Sequence, residues 1–275
     1  MRNLTRLAVA TAFVPYAAFG LAHALPITVS ITNESATDGL GLTPLFVAFH
    51  DGSYDAFDVG GFASMGTARV AELGNPDIAM SEALAADADA VTGSAGAPGG
   101  FAGAPIIEPG ETATVTLEID PFDQRFFTYL SMVLPSNDTF IGNDNPIEIF
   151  DMSGNYLGDR TLNLTGFNIW DAGTEANDLT DGPAFVVGQT GTEGTVTNDP
   201  VALSDGIAAI AAMLPPGNVL NPILADFASD RENFQLATIT IEAAPVPLPA
   251  ALPMFGAALA GFGAMRWRRA KTKSA

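Results

Sequence analysis

The sequence predicts an all-β chain: an antiparallel β-sandwich with short helical insertions, followed by one C-terminal transmembrane helix. Segments that alternate β-branched and polar residues recur along the chain, and turn residues punctuate them at short intervals. The sustained strand–helix alternation that a parallel sheet needs is missing. Ile27–Thr32 alternates as a half-buried strand does. Gly39–Thr43 reads as a turn, Leu45–Phe49 as a continuous apolar core strand, and Asp51-Gly52-Ser53 as a turn. Ser64–Glu72 and Asp77–Asp89 are Ala-rich and fit short helices, with Asn75-Pro76-Asp77 placed to cap the second. Gly93–Gly103 reads as a Gly/Ala/Pro loop and Glu108–Glu111 as a turn. Thr112–Ile119 alternates cleanly, and Phe126–Leu134 reads as a buried strand. Ile147–Phe150 and Thr161–Leu164 are shorter strands around a turn at Ser153-Gly154-Asn155. Phe185–Val187 reads as a brief strand, Ile207–Met213 as a short helix, and Phe234–Glu242 as the closing strand.

The two ends differ from what lies between. Residues 1–24 open with Arg2 and Arg6, continue through an apolar run from Leu7 to Leu21, and close on Ala22-His23-Ala24. That is the layout of a secretory signal peptide. At the other end, residues 248–265 carry no charge and are followed by Arg266, Arg268, Arg269, Lys271 and Lys273. A span of that length crosses a bilayer, with its basic flank left on the cytoplasmic side. The expected organisation is a signal peptide at 1–24, an ectodomain at 25–244 and a membrane-sorted tail at 245–275.

Between these ends, four arginines (Arg69, Arg125, Arg160 and Arg231) face all 31 acidic residues, so the ectodomain carries a net charge of −27 and no lysine. Such a field repels nucleic acid and attracts cations. The chain has no cysteine, which excludes thiol chemistry and Cys-based zinc sites. With His23 in the leader, only His50 remains, so multi-histidine metal sites are excluded within one chain. His50 reads as a polar residue at a strand end, hydrogen-bonded to a nearby loop.

Three acidic segments stand out: Leu134–Gly142, running on to Asn143 and Asp144; Trp170–Glu175; and His50–Asp58. The first follows a buried strand and is expected to be a loop at one end of the sandwich. In the second, Gly173 lets a tight loop curl Asp171 and Glu175 towards one point. Calcium takes six to eight oxygen ligands from carboxylates, carbonyls and water, a mixture that Asp/Asn loops supply. The same residues also serve turns without any metal. No EF-hand spacing is present.

The tail Val246-Pro247-Leu248-Pro249-Ala250, with its apolar span and Arg-rich end, resembles the VPLPA variant of the PEP-CTERM sorting signal. That resemblance implies a bacterial envelope protein processed by an exosortase-type enzyme. The ectodomain resembles the bacterial form of the spondin N-terminal domain, over about Ile27 to Asp181. The matching stretches are Phe46–Gly52, Phe57–Gly60 with Ala63 and Ser64, Ala71–Gly74, Ser131–Gly142 and Trp170–Glu175. This resemblance implies a C2-like calcium-binding sandwich with metal ligands at Asp138, Asp171 and Glu175. Glu175 stands where animal members carry Asp, and the cysteines and thrombospondin repeats of those members are absent.

The expected function is therefore that of an exported calcium-binding surface or extracellular-matrix protein, an adhesion or binding module and not an enzyme. Its expected partners are calcium, the membrane through the C-terminal helix, an exosortase-type enzyme, and an extracellular polysaccharide or matrix protein, with no nucleic acid. One alternative is a secreted carboxylate-based, glycosidase-like hydrolase, although no pair among the acids is marked out by its surroundings. Another is a passive structural component of an exopolysaccharide layer.

Overall fold

The computed structural model describes residues 24–37, 39–96, 105–179, 194–213 and 230–244. The expected signal peptide, apart from Ala24, lies outside the described residues, as do the expected strand at Phe185–Val187 and the expected membrane helix at 248–265. No helix among the described residues is long and apolar enough to cross a membrane.

The elements, in chain order, are β1 (Leu25–Asn33), β2 (Gly41–Leu42), β3 (Leu45–His50), α1 (Met65–Leu73), α2 (Asp77–Ala86), β4 (Val91–Ala95), β5 (Thr112–Ile119), β6 (Phe126–Leu134), β7 (Thr139–Gly142), β8 (Ile147–Glu148), β9 (Arg160–Thr165), a 3₁₀ turn (Gly166–Asn168), β10 (Ile169–Asp171), β11 (Ala202–Leu203), α3 (Gly206–Met213) and β12 (Gln235–Ala243). They form an all-β, sandwich-like fold of two antiparallel sheets with a few short helices. One sheet has the order β5-β1-β12-β9. The other has the order β11-β10-β7-β6-β3-β4, with β2 and β8 also paired to β6.

Alternation builds the first sheet. Ile27, Val29 and Ile31 of β1 are buried, as are Ile239 and Ile241 of β12. Between them Thr28, Ser30 and Thr32 face outward, where their hydroxyls meet those of Thr116, Thr114 and Thr112 at 2.9, 3.0 and 2.8 Å. A pleated strand sends successive side chains to opposite faces, so each of these strands needs only one apolar set.

The second sheet is covered on both faces. Val47, Phe49, Phe127, Tyr129 and Ile141 pack towards the first sheet. Phe46, Ala48, Leu130 and Phe140 pack on the other side with Val70 and Ala71 of α1 and Ala79 and Ala83 of α2. This is why all six residues of β3 are buried and the strand shows no alternation. The helices are locked to each other through Glu82 of α2, which accepts from Ser64 Oγ at 2.7 Å and from Gly66 N at 2.9 Å. A Cβ on Gly66 would lie 2.7 Å from Ala79 Cα, so glycine sets how closely α1 and α2 approach.

Four expectations are corrected. The loop expected at Gly93–Gly103 begins as a strand, because Val91–Ala95 pairs with β3. The turn expected at Gly39–Thr43 contains β2, which pairs with Val133 and Leu134. The expected strand Ile147–Phe150 is only two residues long, and Phe150 instead bridges to Tyr156. The acidic segment after β6 is only partly a loop, since Thr139–Gly142 forms the fully buried strand β7.

Candidate metal centre

Two local structures bring the acidic segments together. After β6 the chain turns through Pro135–Asp138 into β7. Ser136 pins this turn: its hydroxyl donates to Val133 O at 2.6 Å and accepts from Thr139 N at 3.1 Å. The neighbouring strand β10 runs antiparallel to β7 with Asp171 opposite Thr139, and Ala172 N donates to Asp138 O at 3.1 Å. Trp170 fixes β10, its indole N–H donating to Gly142 O at 3.1 Å and its ring packing on Phe57. Asp138 and Asp171 therefore start from adjacent strands.

The loop after β10 then folds over Asp138. Gly173 sits at φ 70°, and a Cβ there would lie 2.2 Å from Asp199 O, so both its backbone conformation and its surroundings require glycine. Asp171 Oδ1 accepts from Gly173 N at 2.9 Å, and Asp171 Oδ2 accepts from Asn177 Nδ2 at 2.8 Å. Asp138 Oδ2 accepts from Thr174 N at 2.7 Å, Glu175 N at 3.0 Å and Thr174 Oγ1 at 3.3 Å. A second segment straps this loop from outside: Ala176 N donates to Thr195 O, Thr197 N to Thr174 O and Asp199 N to Gly173 O, each at 2.8 Å. Glu175, 5 % exposed, accepts from Gly194 N through Oε1 at 2.6 Å.

The polar accounting is uneven. Asp138 has no exposed surface, and its Oδ1 is buried without a hydrogen-bond partner. The side-chain Oδ1 atoms of Asn137 and Asn177 are in the same condition. Burial pushes the Asp138 carboxyl up to about 7, and the Asp171 charge adds to the shift. Asp171 is raised as well, by its own burial and by the charges of Asp199 and Asp205. Two carboxylates sharing a dry site disfavour each other's ionisation.

Asp138 and Asp171 are thus brought together and electrostatically linked, while Glu175 is turned to Gly194. A Cβ on Gly194 would lie 2.8 Å from Glu175 Oε2 and 3.2 Å from Asn137 Nδ2, which puts the Asn137 amide on the Glu175 side of the site. Among the described residues, no three His, Asp or Glu side chains gather closely enough to hold a metal by themselves. The unpartnered side-chain atoms here are Asp138 Oδ1, both Oδ1 and Nδ2 of Asn137, and Asn177 Oδ1; the three oxygens and the Asp138–Asp171 pair are ligands of the kind a hard cation takes. Asn137, Asn177 and Gly194 were not singled out in the sequence. Asn137 adjoins Asp138 and Asn177 lies two residues past Glu175, but an isolated Asn in a loop reads first as turn chemistry.

The third acidic segment lies elsewhere. His50 sits at the far end of β3, fully buried, with Nε2 3.0 Å from Thr128 Oγ1 and Nδ1 accepting from Gly52 N at 3.1 Å. Burial lowers its pKa to about 4. Asp144 Oδ1 accepts from Val59 N at 2.7 Å, tying this segment to the turn after β7 without joining it to Asp138.

No curated protein matches the chain. The family model described as Spondin_N matches residues 36–198, which is more than half of the chain, takes in α1, α2 and every element from β2 to β10, and includes both acidic loops of the candidate site. The chain belongs to the Spondin_N family.

Proposed function

We propose that this protein is an exported, calcium-binding module of a bacterial cell surface or extracellular matrix, with a C2-like sandwich as the binding domain and a PEP-CTERM-type tail as its sorting signal. The observation that carries the reading is Asp138 Oδ1: a buried, unpartnered carboxylate oxygen beside a second, half-buried carboxylate, that of Asp171. Asp138 and Asp171 would hold the ion, with Asn137, Asn177 and Glu175 as the nearby oxygen donors. A bound calcium would supply the positive charge that this pair lacks and would tie the end of β6–β7 to the loop after β10. The role is one of binding rather than catalysis, because Asp138 is too deeply buried to touch a substrate.

The sorting part of the reading rests on Val246–Ala250, the uncharged run 248–265 and the basic residues beyond it. An extracellular polysaccharide or a matrix protein is the partner class proposed for the calcium-bearing end, whose surface loops a bound ion would hold in place.

Calorimetric titration of calcium into chelator-treated protein in mild detergent tests the metal. Binding near one equivalent is expected, lost in Asp138→Asn and in Asp171→Asn. Absence of binding in the unmodified chain overturns the proposal. Binding that survives both substitutions moves the site away from these residues.

A further inference from the structure

The strands run between two ends, and the candidate metal centre occupies only one of them. At the other end β1 begins and β5 and β12 finish. Leu25 lies opposite Ile119, Ile27 lies opposite Ala243, and Ala244 N donates to Pro26 O at 2.8 Å. The turn after β5 and the loop between β8 and β9 close over this end. Tyr156 Oη donates to Ile241 O at 3.1 Å, which holds the loop beside the end of β12. A Cβ on Gly154 would lie 2.8 Å from the ring of Phe122, so the aromatic ring covers the tip of that loop.

Three large apolar side chains of these two turns face solvent: Phe122 is 57 % exposed, Met152 84 % and Leu157 41 %. None of them belongs to the hydrophobic core clusters. β6 starts at this end at Phe126 and reaches Leu134 eight residues later, so about 26 Å of strand separate these turns from the approach to Asp138.

The chain leaves the domain here too. Ala244 is the last described residue, and the uncharged apolar run begins at Leu248. Four residue steps span at most about 14 Å even when fully extended. If residues 248–265 cross a bilayer, this end of the sandwich is held within that distance of the hydrocarbon, which is about the depth of the headgroup region.

We infer that Phe122, Met152 and Leu157 form a lipid-docking surface, which seats the Ala244 end of the domain on the bilayer and points the Asp138 end away from it. The inference rests on the reading of 248–265 as a membrane span. Three side chains would bind a membrane weakly from solution, but a tether this short raises their effective concentration at the surface. The charges at this end fix the lipid class. Arg125 and Arg160 are two of the four ectodomain arginines, and Arg125 pairs with Glu148. Asp120, Asp123, Asp151, Asp159 and Glu242 surround the same turns and repel an anionic surface. The surface therefore fits zwitterionic headgroups, whose ammonium and phosphate groups find both signs of charge.

The absence of cysteine allows a clean test. Ser153→Cys, beside Met152, and Val196→Cys, beside the candidate metal centre, each carry one environment-sensitive fluorophore on the full chain. Each labelled chain is reconstituted into phosphatidylcholine vesicles and quenched with spin-labelled lipid. Quenching at position 153 is expected to exceed that at 196 several-fold. It should fall to the level of 196 when Phe122→Ser and Met152→Ser are added, with flotation unchanged. A chain that floats with the vesicles but is quenched equally at both positions overturns the docking surface and leaves the span standing. A chain that does not float overturns the span, and the docking surface with it.

Discussion

His50 and Asp138 occupy opposite ends of the same sheet. Both titrate, and neither has any exposed surface. On the His50 ring the accounts close: one nitrogen accepts from Gly52 N, the other faces the Thr128 hydroxyl, and Tyr54 and Phe126 pack against it, although the buried Tyr54 hydroxyl has no partner. Around Asp138 they do not. Three donors converge on Oδ2 while Oδ1 has none, and the nearest charge is a second carboxylate. A buried polar atom left without a partner costs roughly 1–3 kcal/mol, more when charged, so a fold keeps one only where something else compensates. His50 is a finished piece of core, whereas Asp138 keeps a buried carboxylate oxygen without a partner.

The largest expected effect separates the two ends directly. Calcium at a hundred times its dissociation constant should stabilise the native chain by about 2.7 kcal/mol. Asp138→Asn should lose that gain entirely, yet in chelator it should be no less stable than the native chain, because it removes a buried negative charge. Thermal melts of both proteins, with calcium and with chelator, should therefore cross. A native chain whose melting temperature ignores calcium removes the distinction between the two ends.

His50 gives the next effect, with a definite sign. Its folded pKa is about 4 against an unfolded value near 6.5. Below pH 6.5 the unfolded chain takes up the proton first, so stability falls as pH drops, until the folded protein protonates too near pH 4. Over the window from pH 7 to pH 4.5 the loss is about 2.4 kcal/mol, at 1.36 kcal/mol per pKa unit. Denaturant titrations between pH 7 and pH 4.5 should show this slope in the native chain and a flatter one in His50→Gln, which does not titrate. Equal slopes would mean that His50 is not held neutral by burial.

How legible each region is in the sequence follows from how many of its faces are buried. Thr112–Ile119 and Phe234–Glu242 were readable to within a residue because each buries one face, so the pattern itself records the strand. β7 was not readable: Thr139–Gly142 is buried throughout and lies inside a run of turn-forming residues, so its composition resembles the loop it follows. β4 hid for a related reason. Gly93 sits where a Cβ would meet the Leu117 side chain at 3.1 Å, so the strand carries glycine to let β5 approach, and glycine reads as a loop. At the candidate site Asp138 was singled out through the family resemblance, and Asp171 through that resemblance and its spacing from Glu175 across Gly173. Asn137 and Asn177 were not, because their importance lies in which oxygen lacks a partner, and that exists only once the strands have paired.

A smaller effect tests the loop that covers Asp138. Gly173→Ala places a side chain at φ 70° and against the Asp199 carbonyl, where little can move because Asp199 N is itself bonded to Gly173 O. A loss of about 1–3 kcal/mol is expected from strain and displacement. Calcium affinity should fall with it, because the donors to Asp138 Oδ2 belong to the two residues that follow. A Gly173→Ala protein with unchanged melting temperature and calcium affinity would show that this loop is not held as tightly as its hydrogen bonds imply.

The smallest effect concerns the outer face of the first sheet, where nothing is buried and nothing is left unsatisfied. Thr114 is exposed on an edge strand and exchanges a hydroxyl contact with Ser30. Thr114→Val keeps the β-branched shape that suits a strand and deletes one exposed hydrogen bond. A change within about 0.5 kcal/mol is expected, with no change in calcium binding. If this substitution instead proved as costly as Gly173→Ala, the hydroxyl ladder would be structural in its own right, and the order of importance drawn between the two ends and the face that joins them would have to be reversed. Urea denaturation of the two variants in parallel, read by tryptophan emission from Trp170, makes that comparison on a single scale.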